Sequence, residues 1–369
     1  MRARVAARLN QRAFPRPGDV KRARSAVPQS GSPARPGATP PTMRDVAARA
    51  QVSAMTVSRA LKDDERVSTA TRARVLAAVK ELGYRRNEVA RNLRLGKPSG
   101  MIGLVVTNLA NPFYSRLALG AEQVTEEYGL RLVLGNTAEQ VEREQELVED
   151  LVSRRVDGMI VVPAGASQRH LAPDVLGPTP VVLAGRPPAG IEADTVLVDD
   201  FGGAHAATAR LIANGHSSIG FVGNPPALFT GAERLRGYWA AHEEAGLTPR
   251  EEWISRGSYD IPGAEAAAHR LLDRADAPTA LFCTNNRITL GAYRAVRGLR
   301  SGTALAAFDD FEMADLLDVP VTVVAYDADE VGRRAARLLL DRIDENPAAP
   351  QQPPRRTVVP THIVHHTGA

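Results

Sequence analysis

The sequence predicts an α/β core of two doubly wound parallel-sheet subdomains, preceded by a small all-α helix-turn-helix headpiece. Three observations carry this. From about residue 101 onward, apolar runs of strand length alternate with amphipathic stretches of helical period. Residues 42–83 hold short capped helical patterns instead. Charge is segregated between the two regions: residues 1–98 carry 22 Lys/Arg against 7 Asp/Glu, a formal +15, and residues 99–369 carry 24 against 35, a formal −11. A basic module for a polyanion is thus joined to a module with another task. At about 100–200 residues per domain, 369 residues exceed a single core.

Composition narrows the class. With 44% hydrophobic and 24% charged residues the chain is expected to be globular over most of its length. The single cysteine, Cys283, excludes an internal disulfide framework and a zinc site of paired cysteines, as expected in a reducing cytoplasm. No apolar run approaches the roughly 18 residues of a membrane span. Arg2, Arg4, Arg8, Arg12 and Arg16 surround no apolar core of signal-peptide length, so the start does not read as a secretory leader.

The elements follow in order. Residues 1–41 combine nine Lys/Arg, one acid (Asp19) and the stretch QSGSPARPGATPP, and are expected to be disordered: either a loose basic arm or sequence upstream of a start near Met43. Thr42 with Asp45 forms a capping pair, and Val46, Ala47 and Ala50 recur at helical spacing, predicting helix one to about Ala50. Gln51-Val52-Ser53 makes a tight turn. Ser53 caps a second helix carrying Val57 and Leu61, and Ser68 caps a third that ends before Gly83. After the linker Lys97-Pro98-Ser99-Gly100 come buried strands at 101–106, 131–136, 158–163, 180–185, 218–223, 280–285 and 304–308. The helical segments between most of them imply right-handed βαβ units. Ligands in such folds bind at the carboxyl ends of strands, here in the cleft between the subdomains.

Helix, short turn, helix, with apolar Val46, Ala50, Val52, Val57 and Leu61, is the packing pattern of a helix-turn-helix, although spacing alone equally fits an ordinary helical hairpin. The segment TMRDVAARAQVSAMTVSRAL, followed by RVSTATRARVLAAVKELGYRRNEVARNLRLGK, resembles the headpiece of the LacI (lactose-repressor) family of bacterial transcription regulators. The resemblance continues through IGLVVTNLANPFY, RRVDGMIVVP, AERLRGY, CTNNRITLGAY and AFDDFEMADLLDVPVTVV, and so covers residues 42–369. It implies a headpiece at 42–98 with a hinge helix at about 87–94, and a periplasmic-binding-protein-like core at 99–369 that senses a small molecule and dimerises. Subdomain one is expected at about 99–198 and 326–355, and subdomain two at about 199–325 and 356–369.

Family members read bases from the first turn of the second helix and from one arginine later in it, positions that resemblance assigns to Ala54, Met55 and Arg59. Arginine can bond both acceptors of a guanine edge, whereas Ala54 and Met55 offer apolar contact. The hydroxyls of Ser53, Thr56 and Ser58 suit phosphates, or simple capping. The hinge motif NEVARNLR begins at Asn87, and the resemblance makes Leu93 the wedge inserted into the minor groove. The effector site of the family maps onto Phe113, Tyr114, Arg234, Tyr259, Asn285, Asp309 and Tyr326: aromatic faces for a sugar ring or base, Arg and Asp for its polar groups.

The chain departs from the family pattern in several places. Gln51 replaces a glycine at the helix-one turn, Arg86 a proline before the hinge, Gly185 an aspartate, and Asn286 the aspartate of an Asn-Asp pair; RGLRSGT at 297–303 is shortened.

Rival classes fare worse. The usual phosphate-loop, dinucleotide, serine-nucleophile and zinc motifs of enzymes do not occur. His362 and His365 would point to opposite faces of a strand, so no metal site is expected there. A secreted solute-binding protein would need an export signal and no headpiece. The expected protein is a repressor with no cofactor, a homodimer on a pseudo-palindromic operator, controlled by a sugar-like effector.

Overall fold

The structure, a computed structural model, describes residues 41–84, 98–258, 260–345 and 352–367. The expected extension up to residue 40, the hinge helix with Asn87 and Leu93, Arg86, and the effector candidate Tyr259 lie outside the described residues. The chain divides into a smaller unit ending at Ser99 and a larger one running from Gly100.

In the smaller unit, helix α1 (Met43–Ala50) starts from a capping box: Asp45 N–H donates to Thr42 Oγ1, and Thr42 N–H donates to Asp45 Oδ2 at 2.7 Å. The hydrogen bonds hold the Asp45 carboxyl below the usual carboxylate range. Gln51 ends α1 in the left-handed conformation, φ 51° and ψ 49°, which costs a non-glycine residue about 1–2 kcal/mol. Helix α2 (Ala54–Ala60) is capped by Ser53, and α3 (Thr69–Leu82) by Ser68, with Gly83 left-handed at its end. Val46, Val57 and Val75, all fully buried, form the centre of the three-helix core; Val52 and Leu61 pack at its margin. An exposed Arg49–Glu81 pair at 2.7 Å joins α1 to α3 and, being solvated, contributes at most about 1 kcal/mol.

The larger unit holds two six-stranded sheets. The first has the order β11-β5-β4-β3-β1-β2, with β1 (Met101–Val106), β2 (Arg131–Asn136), β3 (Gly158–Val161), β4 (Val181–Ala184), β5 (Asp194–Val198) and β11 (Arg356–Val359), all parallel. The second has the order β12-β10-β9-β8-β6-β7, with β6 (Ile219–Gly223), β7 (Ile254–Arg256), β8 (Ala280–Cys283), β9 (Ala304–Phe308), β10 (Val321–Ala325) and β12 (His362–His366). Only β12 runs antiparallel, beside β10. The helices between strands are α4 (Pro112–Glu127), α5 (Val141–Ser153), α6 (Pro173–Leu176), α7 (Asp200–Ala213), α8 (Phe229–Glu244), α9 (Ile261–Leu272), α10 (Asn286–Gly298) and α11 (Ala328–Asp344). Strands β3, β5, β6 and β8 are buried along their whole length, as sheets covered on both faces require.

One boundary differs from the sequence reading, which returns the chain to subdomain two at residue 356. Strand β11 still belongs to the first sheet, beside β5, and the crossing falls between Val359 and His362. The cause is an ion-pair clamp: the buried Asp194 carboxylate accepts from Arg342 at 2.7 Å, from Arg355 Nη2 at 2.8 Å and from the Arg355 backbone N–H at 2.7 Å. The incoming segment is thereby pinned to the start of β5. Among the described residues no helix is long and apolar enough to cross a membrane, and no cluster of metal-ligating side chains occurs.

Candidate functional site

Helix α2 presents two faces. Val57 and Ala60 are buried against the headpiece core, while Ser53, Ala54, Met55 and Arg59 are exposed and Thr56 and Ser58 are half-buried. Met55 is 62% exposed, which leaves its side chain available for apolar contact. Arg59 has no salt-bridge partner among the described residues. Ser53 Oγ accepts from the Thr56 N–H at 3.1 Å, capping the helix, and is hydrogen-bonded to Thr56 Oγ1 at 2.9 Å. The residues of this helix and its cap that are expected to meet DNA therefore lie on or beside its solvent-facing side.

In the larger unit a cavity of about 490 Å³ lies between the two subdomains. The sheets explain its position. Asn136 and Val198 end β2 and β5, Thr107 and Gly185 directly follow β1 and β4, and all four line one wall. Asn224, Asn285, Asp309 and Tyr326 follow β6, β8, β9 and β10 and line the other. Where parallel strands end, loops diverge and backbone groups lose their partners, which leaves a polar crevice. Of the effector residues expected from sequence, Phe113, Tyr114, Arg234, Asn285, Asp309 and Tyr326 are brought together here.

Arg234 is the centre of the second-subdomain wall. Its Nε and Nη2 both reach Asp200 Oδ1 at 2.7 Å, Nη1 donates to the Thr284 carbonyl, and the guanidinium lies 3.6 Å from the centroid of the Phe308 ring. Asp309, left-handed at φ 66°, stands 3.6 Å from Arg234 and accepts from the Tyr326 hydroxyl at 2.7 Å. Burial pushes the Asp200 carboxyl up to about 6 despite Arg234, and burial with the adjacent Asp309 raises the Tyr326 phenol well above its usual range. Asn285 is already engaged: its Oδ1 caps α10 and its Nδ2 donates to Asn224 at 3.1 Å.

The first-subdomain wall holds a pair that sequence reasoning missed. Arg186 makes a bidentate bond to Glu139, at 2.7 and 2.8 Å, and donates to the Pro163 carbonyl. Burial disfavours its charge, but Glu139 outweighs this and the pKa is raised. Two consecutive left-handed residues, Ala138 and Glu139, carry the carboxylate into place. Phe113 packs edge-on against Tyr114, centroids 5.0 Å apart, and Tyr114 accepts from the Thr107 hydroxyl at 2.6 Å behind it. Gly185, where an aspartate is common in the family, faces the Phe113 ring.

Among the described residues, two side-chain bonds span the cleft: Asn286 Nδ2 to Asn111 Oδ1 at 3.2 Å, and Arg287 Nη1 to the Ala110 carbonyl at 3.0 Å. Asp200, Arg186, Glu139 and Arg287 were thus absent from the sequence reading. A signal existed for two of them. Arg186 directly follows an apolar strand, and Asp199-Asp200 offers two acids where a helix needs only one cap.

Residues 99–367 match the family of periplasmic binding proteins and the sugar binding domain of the LacI family, and residues 42–87 match the bacterial regulatory proteins of the lacI family. The chain is 32% identical over 316 residues to the HTH-type transcriptional repressor CytR of Escherichia coli strain K12, covering 83% of this chain and 90% of that one. It is 32% identical over 310 residues to the ribose operon repressor of Haemophilus influenzae, covering 83% and 92%. A solved complex of the transcriptional regulator CelR with cellobiose is similar at 32% identity and a TM-score of 0.65, covering 89% of this chain and all of that one. With a headpiece that exposes one helix face and a core with a cleft at its strand ends, this chain belongs to the LacI family and is a DNA-binding transcriptional regulator with a small-molecule-binding core.

Proposed function

We infer that the protein represses transcription as a homodimer on a pseudo-palindromic operator, and that a sugar or sugar derivative in the cleft alters its operator affinity. The observation that carries this reading is the cavity of about 490 Å³ lined from both subdomains, with the buried guanidinium of Arg234 in one wall and that of Arg186 in the other. Its size suits a small ligand, and its mix of aromatic faces and fixed polar groups suits a ring bearing hydroxyls. Two relatives support the effector class: one is by name a ribose operon repressor, and another was solved with cellobiose.

Arg59, with Ala54 and Met55, would read base edges in the major groove, while Ser53, Thr56 and Ser58 would set register on phosphates. A ligand shifts DNA affinity only by its differential affinity for two core arrangements, typically about 1–3 kcal/mol of coupling. Closure of the cleft, across which Asn286 and Arg287 already reach the facing subdomain, is the change that it would bias.

The test is a thermal-shift screen of sugars followed by operator titration with and without each hit. Phe113→Ala, which removes an aromatic face from the cavity, is expected to weaken the hit and its influence on operator affinity about tenfold or more, with ligand-free operator binding retained. A hit that stabilises wild type and Phe113→Ala equally binds elsewhere, and the cleft assignment then fails.

A further inference from the structure

Two consecutive residues at the start of α10 reach two consecutive residues just before α4, on the facing subdomain. Asn286 Nδ2 donates to Asn111 Oδ1 at 3.2 Å, and Arg287 Nη1 donates to the Ala110 carbonyl at 3.0 Å. Capping does not explain Asn286, because Asn285 already accepts from the Ile288 N–H at 2.9 Å to cap α10. Nor is the bond at the surface: Asn286 is 2% exposed and Asn111 8%. A hydrogen bond shielded from water in this way is electrostatically stronger than a solvated one.

The direction of the buried bond is fixed by its surroundings. Asn111 is the N-cap of α4, and the same Oδ1 accepts from the Phe113 N–H at 2.9 Å. An oxygen held in place by the cap can take a second bond only from a donor, which the Asn286 amide supplies and a carboxylate does not. The family pattern has aspartate at this position, and Asn286 replaces it. Turning the Asn111 amide to meet an aspartate would take the capping oxygen away from the Phe113 N–H, in the helix that carries Phe113 and Tyr114 to the cavity wall.

Resting on the cleft reading above, we propose that Asn286 and Arg287 form a built-in clasp: the chain itself supplies part of the free energy that holds the two subdomains together, and a ligand supplies the remainder. Asn286, as the buried donor, is the residue that makes the clasp. A neutral hydrogen bond shifts an equilibrium by about two- to tenfold, so the pair sets how far the closed arrangement is populated before any ligand acts. It thereby sets how much closure is left for the ligand to drive.

Pulsed electron paramagnetic resonance on the full-length chain tests this with no ligand added. Spin labels are placed on Arg143→Cys in α5 and Arg270→Cys in α9, both exposed and one on each subdomain, and labelled chain is diluted with unlabelled chain; Cys283 is buried and stays unlabelled. Two isosteric changes carry opposite expectations. Asn286→Asp sets oxygen against oxygen and is expected to lengthen the mean distance between labels and broaden its distribution. Asn111→Asp still caps α4 and still accepts from Asn286, now with charge assistance, and is expected to keep the wild-type distance. Should Asn286→Asp fail to fold, Arg287→Ala, which removes the other bond, is the second variant and is expected to broaden the distribution. An unchanged distribution in folded Asn286→Asp or, in its place, in Arg287→Ala overturns the proposal, and so do equal shifts in the two aspartate variants. Operator titration of the same variants keeps the two levels apart. A lengthened distance with operator affinity changed about threefold or more supports both the clasp and the cleft reading. A lengthened distance with operator affinity unchanged supports the clasp and removes the coupling of closure to DNA from that reading.

Discussion

At the scale of single residues, chemistry and position do separate work. The family resemblance assigns base reading to Arg59, and its side chain is exposed on α2, as a bidentate contact to guanine requires. Arg59→Ala is expected to weaken specific operator binding by about 1–3 kcal/mol while sparing weak binding to scrambled DNA. Anisotropy titrations on both DNAs check this, and equal loss on each would remove its base-reading role. Arg234 is different. Sequence marks it as a ligand contact, but the structure shows it neutralising Asp200, with Asp309 at 3.6 Å. Arg234→Ala strands buried carboxylate and is expected to destabilise the core by about 3–5 kcal/mol, seen as a clearly lowered Tm. An unchanged Tm would show that the carboxylates tolerate burial unpaired. Gln51 is the converse case, where a family glycine is missing and the left-handed backbone persists regardless.

At the scale of elements, the strongest signals were local. Thr42, Ser53 and Ser68 cap α1, α2 and α3 where their spacing predicts, because a cap needs only residues a few positions away. Strands β5, β7, β10, β11 and β12 were not among the apolar runs read from sequence. Strands such as RTVV and HIVHH are short and interrupted by polar or charged residues, and they exist because a neighbour supplies the ladder: β5 for β11, β10 for β12. The contact of α4 with α11 was equally silent. Gly120 lies against the Asp329 carbonyl and Gly332 against the Leu117 carbonyl, so a Cβ at either would run into backbone. Gly332→Ala is therefore expected to cost about 1–3 kcal/mol or more by forcing the helices apart, measurable as a drop in the denaturant midpoint. A midpoint unchanged within error would mean that this helix pair can slide freely.

At the scale of the whole molecule, charge divides the labour. The +15 of residues 1–98 implies operator binding that weakens steeply with salt, each neutralised phosphate adding about −0.9 to the slope of log K against log salt. Deleting residues 1–41, with their nine Lys/Arg, is expected to flatten that slope. An unchanged slope would show that this segment does not touch DNA.

By itself the sequence determined the headpiece, the alternation that makes two parallel sheets, and the strand ends on which a ligand site must form. These follow from periodicity, caps and motifs that lie within a few residues of one another. Only the tertiary structure decided which charge meets which. Arg234 finds Asp200 across 34 positions, Arg186 finds Glu139 across 47, and Asn286 finds Asn111 across 175. Asp194 likewise draws Arg355 from 161 positions away and so sets where the chain leaves the first sheet. Such pairings have no local period to betray them. They are chosen by burial, where a charge without a partner is costly, and so the partners appear only once the chain is folded.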